Sequence, residues 1–221
     1  MITVHHLNNS RSQRILWMLE ELGVPYEVKR YQREPSMQAP AALKAVHPLG
    51  KSPVVTDGDK TIAESGAIIE YLNDTYGAGR FAPAPGTPER LRYTYFLHYA
   101  EGSLMPILLM KLVFGRLPTR VPWFIRPVAR LISAGADKSL LTPQIATHFM
   151  FLESELAQRE WFAGPDFSGA DIQMSFPLEA AAARSPLFAQ LPKLKAFVDR
   201  IHARPAYKRA IERGGEYALM K

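Results

Sequence analysis

The chain has 221 residues, long for one domain and short enough for two small ones. With 47% hydrophobic and 22% charged residues it has the makeup of an ordinary folded protein, which excludes a disordered or fibrous chain. It has no cysteine, which excludes disulfides, thiolate metal ligands and a sulfur nucleophile of its own, and its formal charge is +6.

Residues 2 to 7 alternate as a strand, with no basic segment and apolar run ahead of them, so the expectation is a cytoplasmic protein; no stretch nears the ~18 apolar residues of a membrane span. From Ser12, the positions Ile15, Met18, Leu19 and Leu22 fall at helical spacing until Gly23 supplies a stop. Tyr26 to Tyr31 alternates again, and a short apolar helix is expected around Ala41 to Val46. Pro53 to Thr56 and Lys60 to Ala63 flank Asp57-Gly58-Asp59, whose residue types suit a tight hairpin turn. Ser65 then caps a helix carrying Ile68, Ile69, Leu72 and Tyr76, which Gly77 and Gly79 end. The order is βαβαββα over residues 1 to 78.

Residues 79 to 87 are rich in glycine and proline and read as a linker, after which residues 88 to 221 are helical throughout. Thr87-Pro88-Glu89 and Thr142-Pro143-Gln144 each place a capping hydroxyl before a proline, predicting two helix starts. Pro106 is expected to bend the first of these helices, and Gly115 and Pro118 to end it. Ser168-Gly169-Ala170-Asp171 has the spacing of a capping box before a helix near Ile172 to Ala183, and two more helices are expected near Lys193 to His202 and Ala206 to Arg213. The positive charge is local. Residues 111 to 138 hold Lys111, Arg116, Arg120, Arg126, Arg130 and Lys138 against Asp137 alone, and read as a solvated basic connection; no module for nucleic acid accompanies it.

Three segments carry chemistry. A proline opening a strand beside a hairpin makes a cis bond affordable at Ser52-Pro53, against a trans edge-strand proline, and a cis bond is expected to leave the amide and carbonyl of Val54 free to pair with an extended peptide. Glu64-Ser65 at a helix start offers a carboxylate for an ammonium and a donor-rich pocket for a carboxylate, which together suit an α-amino acid end, while Lys51 would face a carboxylate at the ligand's other end. The polar turn Asn8-Asn9-Ser10-Arg11-Ser12 places hydroxyls near the positive end of the next helix, where a ligand thiol would be held as thiolate. Lowering a thiol pKa of about 8.5 by about two units takes about 2.7 kcal/mol, within reach of two or three charge-assisted hydrogen bonds. His5 and His6 have no metal-ligand partners near them in sequence and read as structural. Tyr93, Tyr95, Phe96, His98 and Tyr99 read mostly as core or dimer interface.

The strand and helix order, the Pro53 strand, Glu64-Ser65, the linker and the Ser168 to Asp171 box together resemble the cytosolic glutathione S-transferases of serine type, and Leu7 to Arg14 is similar to their bacterial and fungal members. The resemblance implies an α/β thioredoxin-like N-terminal domain, an all-α C-terminal domain that takes a hydrophobic electrophile, and a homodimer. It implies detoxification by attack of the glutathione thiolate on an electrophilic small molecule, with a peroxidase side activity. Counting back from Arg14 puts the thiol-activating hydroxyl at Ser10, with Asn9 and Ser12 as rivals, and family contacts to glutathione carry over to Lys51, Val54, Glu64 and Ser65. The long connection from Phe114 to Ser139 departs from the family pattern and is a candidate to shape or cover the electrophile site. The reading set against this one is a noncatalytic module of the same fold, docking through the basic segment 111–138.

Overall fold

The computed structural model describes residues 1–34, 36, 38–215, 217 and 218. The first half contains β1 (Ile2–Leu7), α1 (Gln13–Leu22), β2 (Tyr26–Tyr31), α2 (Ala41–Lys44), β3 (Val54–Asp57), β4 (Lys60–Ala63) and α3 (Ser65–Tyr76). Its sheet has the order β2-β1-β3-β4, with β1 parallel to β2 and β3 antiparallel to both of its neighbours. Gly23 closes α1 in the left-handed region at φ 69°, where its missing Cβ removes the steric cost, and Gly58 does the same for the two-residue turn between β3 and β4.

Although β1 alternates in sequence, both faces are covered, and His5 and His6 are buried alike. The second face is closed by the helical half. Gln13 to Leu19 is buried without interruption because α1 lies between the sheet and later helices, with Trp17 packed edge-on to Tyr207 at 5.2 Å.

The second half runs α4 (Pro88–Tyr99), a π-helical turn at Ala100–Leu104, α5 (Met105–Arg120), a 3-10 turn at Trp123–Ile125, and α6 (Arg126–Ala136). A second π-helical turn at Asp137–Leu141 leads into α7 (Thr142–Gln158), followed by α8 (Gly169–Ala182), α9 (Pro192–Ala203) and α10 (Pro205–Gly214). Thr87 caps α4 as its spacing predicts, its hydroxyl accepting from the Arg90 amide at 3.2 Å. Ser168 and Asp171 form the reciprocal box that opens α8.

Three helix boundaries differ from those expected. Pro106 follows a π-helical turn, whose wider ring absorbs the donor that proline lacks. Gly115 and Pro118 do not end α5, which continues to Arg120 although Pro118 cannot donate to the Phe114 carbonyl; the stop comes at Val121, held extended by Pro122 behind it. Thr142 is the first residue of α7 but does not cap it, because the chain arrives already helical from α6 through the second π-helical turn. Its hydroxyl instead meets Lys111 Nζ at 3.0 Å and Asp137 Oδ1 at 3.2 Å.

Candidate functional site

The turn between β1 and α1 is held from both sides. Asn8 Oδ1 accepts the Arg33 amide at 2.9 Å, and Asn9, in the left-handed region at φ 51°, accepts the Ala218 amide at 2.6 Å. Ser10 and Ser12 are both buried, and their hydroxyls lie 2.7 Å apart. Ser12 Oγ is also 2.8 Å from His6 Nδ1.

The protons in this chain can be placed by elimination. Burial above all, and Arg30 next, push the His6 pKa down to about 4, against a hydrogen bond to the Gly214 backbone that raises it. His6 is therefore neutral at pH 7. The Gly214 carbonyl takes its Nε2 proton, leaving Nδ1 to accept from the Ser12 hydroxyl. With its single proton committed there, Ser12 must accept from Ser10. The Ser10 oxygen, which also receives the Ser12 amide at 3.3 Å, keeps a proton that a hydroxyl rotation can redirect.

Ser52 extends the chain to the second segment. Its hydroxyl donates to the His5 carbonyl at 3.0 Å and so can only accept from Ser10 Oγ at 3.3 Å, which gives the single Ser10 proton a second acceptor beside Ser12 and ties the loop before β3 to the turn after β1. The Ser52–Pro53 bond is cis. The free edge expected at Val54 is not there. Because β3 lies inside the sheet, Val54 is in register with His5 on one side and Ala63 on the other, so its N–H and C=O face a strand whichever way they point. Among the described residues, Ser52, one position before the proline, makes no turn or loop hydrogen bond through its N–H or C=O, and neither does Lys51 beside it.

At the third segment Glu64 caps α3 with φ 71° and ψ 123°, a strained backbone for a residue with a Cβ, and its side chain is exposed. Ser65 is buried, and its oxygen accepts from Arg14 Nη2 at 3.2 Å, which leaves the Ser65 proton to donate. Arg14 is buried, donates to the Gln173 carbonyl at 2.5 Å and pairs with Glu101, which also holds Arg11 at 2.9 Å. Burial lowers the Arg14 pKa, opposed first by the Glu101 charge. Both guanidinium groups stack on Phe176, at 5.6 and 5.5 Å. Lys51 is exposed on the loop before the proline.

The structure thus joins Ser10, Ser12 and Ser52 directly, and reaches Ser65 through Arg14. Sequence reasoning missed the roles of His6, Ser52 and Glu101. His6 carried one readable signal, its place at the end of a strand leading into a serine-rich turn; Glu101 carried none, being 87 residues from its partner Arg14.

Residues 1–74 match the family model of the glutathione S-transferase N-terminal domain, and residues 118–205 match that of the C-terminal domain. The chain is 38% identical over 215 residues to glutathione S-transferase 3 of Schizosaccharomyces pombe, covering 96% of this chain and 88% of the relative. The chain belongs to the glutathione S-transferase family. A glutathione S-transferase structure from Actinobacillus pleuropneumoniae superposes with a TM-score of 0.83 at 35% identity, covering 100% of this chain and 96% of that one. A theta-class glutathione S-transferase from Xanthomonas axonopodis pv. citri, solved with glutathione bound, has a TM-score of 0.73 at 25% identity over 95% of this chain and 96% of that one. This member of the family has the thioredoxin-like sheet domain followed by the helical domain, as its sequence implied.

Two concavities, of about 370 and 330 Å³, lie on the helical half and beneath the linker, and none of Ser10, Lys51, Ser52, Glu64 or Ser65 lines either one. Of the aromatic run, Tyr93, Phe96 and Tyr99 are buried as core, while Tyr95 is exposed and stacked on Tyr99 at 5.5 Å.

Proposed function

We propose that this protein is a glutathione transferase whose thiolate site is the Asn9–Ser12 turn. The observation that carries the reading is the continuous link from Ser10 through Ser52 to the proline loop, and from Arg14 to Ser65 at the start of α3. In this reading the backbone of Ser52 pairs with the middle of the tripeptide, in place of Val54. The Ser65 hydroxyl and the free amides of α3 take the carboxylate of the γ-glutamyl head, Glu64 takes its ammonium, and Lys51 meets the carboxylate at the far end.

The sulfur then lies at the N-terminus of α1, where the Ser10 hydroxyl rotates away from Ser12 to donate to it. The thiol proton leaves to solvent, the sulfur lone pair forms the new bond to an electrophilic carbon, and the leaving group departs with its bonding electrons. With a hydroperoxide, the thiolate takes the terminal oxygen as the O–O bond breaks and the alkoxide leaves to be protonated to the alcohol, and a second glutathione converts the sulfenic product to the disulfide and water. Asn9 and Ser12 have separate parts: Asn9 fixes the turn, and Ser12 passes the influence of neutral His6 to Ser10.

The resemblance also supports a cytoplasmic, detoxifying homodimer, and Leu91, Tyr95 and Met150 leave an exposed apolar face on α4 and α7 for a second copy. The test of the thiolate site is Ser10→Ala. Loss of one hydrogen bond to a charged group is worth about 1.5 to 3 kcal/mol, so turnover with a model aryl halide should fall roughly 10- to 100-fold. The ultraviolet thiolate absorbance of bound glutathione at neutral pH should fall with it. Unchanged turnover and absorbance would remove Ser10 from the reaction.

A further inference from the structure

Between Glu101 and Asp137 the chain carries five cations, Lys111, Arg116, Arg120, Arg126 and Arg130, and no acidic residue. The structure folds the outer part of this stretch into a helical hairpin, α5 and α6, whose tip is the 3-10 turn Trp123–Ile125. From 121 to 135 only Ala129 is buried. Trp123 is 77% exposed, Phe124 64% and Leu131 75%, with Ile125, Val128 and Ile132 exposed beside them in sequence and Val113 exposed on α5.

The pattern on α6 is two-sided. Val128, Leu131 and Ile132 fall at the i, i+3, i+4 spacing of one helix face, while Arg126 and Arg130 fall at i, i+4 on another. Apolar side chains in such number on a projecting tip are costly in water and mark a surface that is covered in use.

We infer that this tip seats the protein on an anionic lipid surface. The argument is charge complementarity joined to shape. A second copy meeting this patch through a two-fold axis would set arginine against arginine. An acidic protein surface would satisfy the arginines and leave the Trp123-Phe124-Ile125 tip without an apolar partner. A bilayer carrying anionic headgroups takes both: the apolar face and the indole enter the boundary between headgroups and acyl chains, and the long arginines reach the phosphates. Among the described residues no helix is long and apolar enough to cross a membrane, so the hairpin lies on the surface and does not span it.

The test uses the full chain with vesicles of phosphatidylcholine alone and of phosphatidylcholine mixed with phosphatidylserine. Of the three tryptophans Trp17 and Trp161 are buried, so a blue shift of emission and its quenching by brominated lipid report on Trp123. The expected result is co-flotation with the phosphatidylserine vesicles at physiological salt, a blue shift, and no binding to the neutral ones. Trp123→Asp should abolish the co-flotation. Replacing Arg116, Arg120, Arg126 and Arg130 by serine should weaken partition about a hundredfold or more, with glutathione binding unchanged in both variants. Absence of binding to the anionic vesicles overturns the inference. If Trp123→Asp instead converts a dimer to a monomer in sedimentation, without vesicle binding in either form, the face belongs to a second copy. Retention on polyglutamate that survives Trp123→Asp, without vesicle binding, would assign it to an acidic protein; both outcomes overturn the inference.

Discussion

In the proposed site His6 looks like plain core yet reaches Ser10 at one remove, through Ser12. It is held neutral because burial outweighs everything else acting on it, and neutrality is what lets its Nδ1 accept from Ser12. The same depression has a consequence for stability. A folded state that binds fewer protons than the unfolded chain loses stability as pH falls, here from about the ordinary histidine value of 6.5 down to the folded value of about 4. The full effect is on the order of 3 kcal/mol, and above pH 6.5 it vanishes. Buried His5, also lowered chiefly by burial, acts in the same direction. Urea unfolding at a series of pH values should therefore show a steeper acid loss in the wild type than in His6→Gln, with the difference confined to that window. If the proposed site is right, substitution of Ser12 by alanine is expected to reduce turnover less than substitution of Ser10, because Ser12 would act on the sulfur only through its neighbour.

At the scale of elements, the box opening α8 is the firmest local structure in the helical half. Asp171 is fully buried and accepts from the amides of Phe162 and Ser168, at 2.9 and 2.8 Å, and from the Ser168 hydroxyl at 3.0 Å. Burial raises its pKa to about 6 against the pull of those three bonds. Asp171→Ala strands buried donors that each cost about 1 to 3 kcal/mol, so a loss of about 3 kcal/mol or more is expected in the urea midpoint analysis. Ser168→Ala removes only the reciprocal hydroxyl and should cost about 1 kcal/mol. The two π-helical turns make the opposite point. They let Pro106 and Pro143 stand within nearly continuous helices, and the hairpin of α5 and α6 extends beyond the core because nothing in its own sequence, apart from Pro122, breaks it.

At the scale of the whole molecule, the two halves are joined through α1. Arg14 connects Ser65 of the sheet half to Gln173 and Glu101 of the helical half, and Glu21 forms a paired contact with Arg204 at 2.6 and 2.9 Å. Removing Glu101 leaves Arg14 charged, buried and without its main partner. Since Glu101 is itself partly exposed, Glu101→Ala is expected to cost about 2 to 3 kcal/mol, below the figure for a fully buried pair. If Arg14 also orients Ser65, the KM for glutathione should rise in this variant while kcat with the electrophile changes little, a split that steady-state kinetics reads directly.

What the sequence determined by itself is whatever is written in neighbouring residues. Strand and helix order, the turn at Gly58, the caps at Thr87 and Ser168, and the helix start at Glu64-Ser65 all rest on backbone preferences and hydrogen bonds that span a few positions. Ser10, Ser12, Lys51, Glu64 and Ser65 could be named for the same reason, as members of short polar turns and helix ends. Tertiary structure alone decided the rest, because it depends on which strands and helices become neighbours. Placing β3 inside the sheet closed the edge at Val54 and left the free peptide at Ser52. Packing brought His6 to Ser12 and Glu101 to Arg14, and burial then set the protonation of His6. It also turned the basic connection into an exposed apolar and cationic hairpin, since whether a side chain meets protein or water is settled only when every other element is in place.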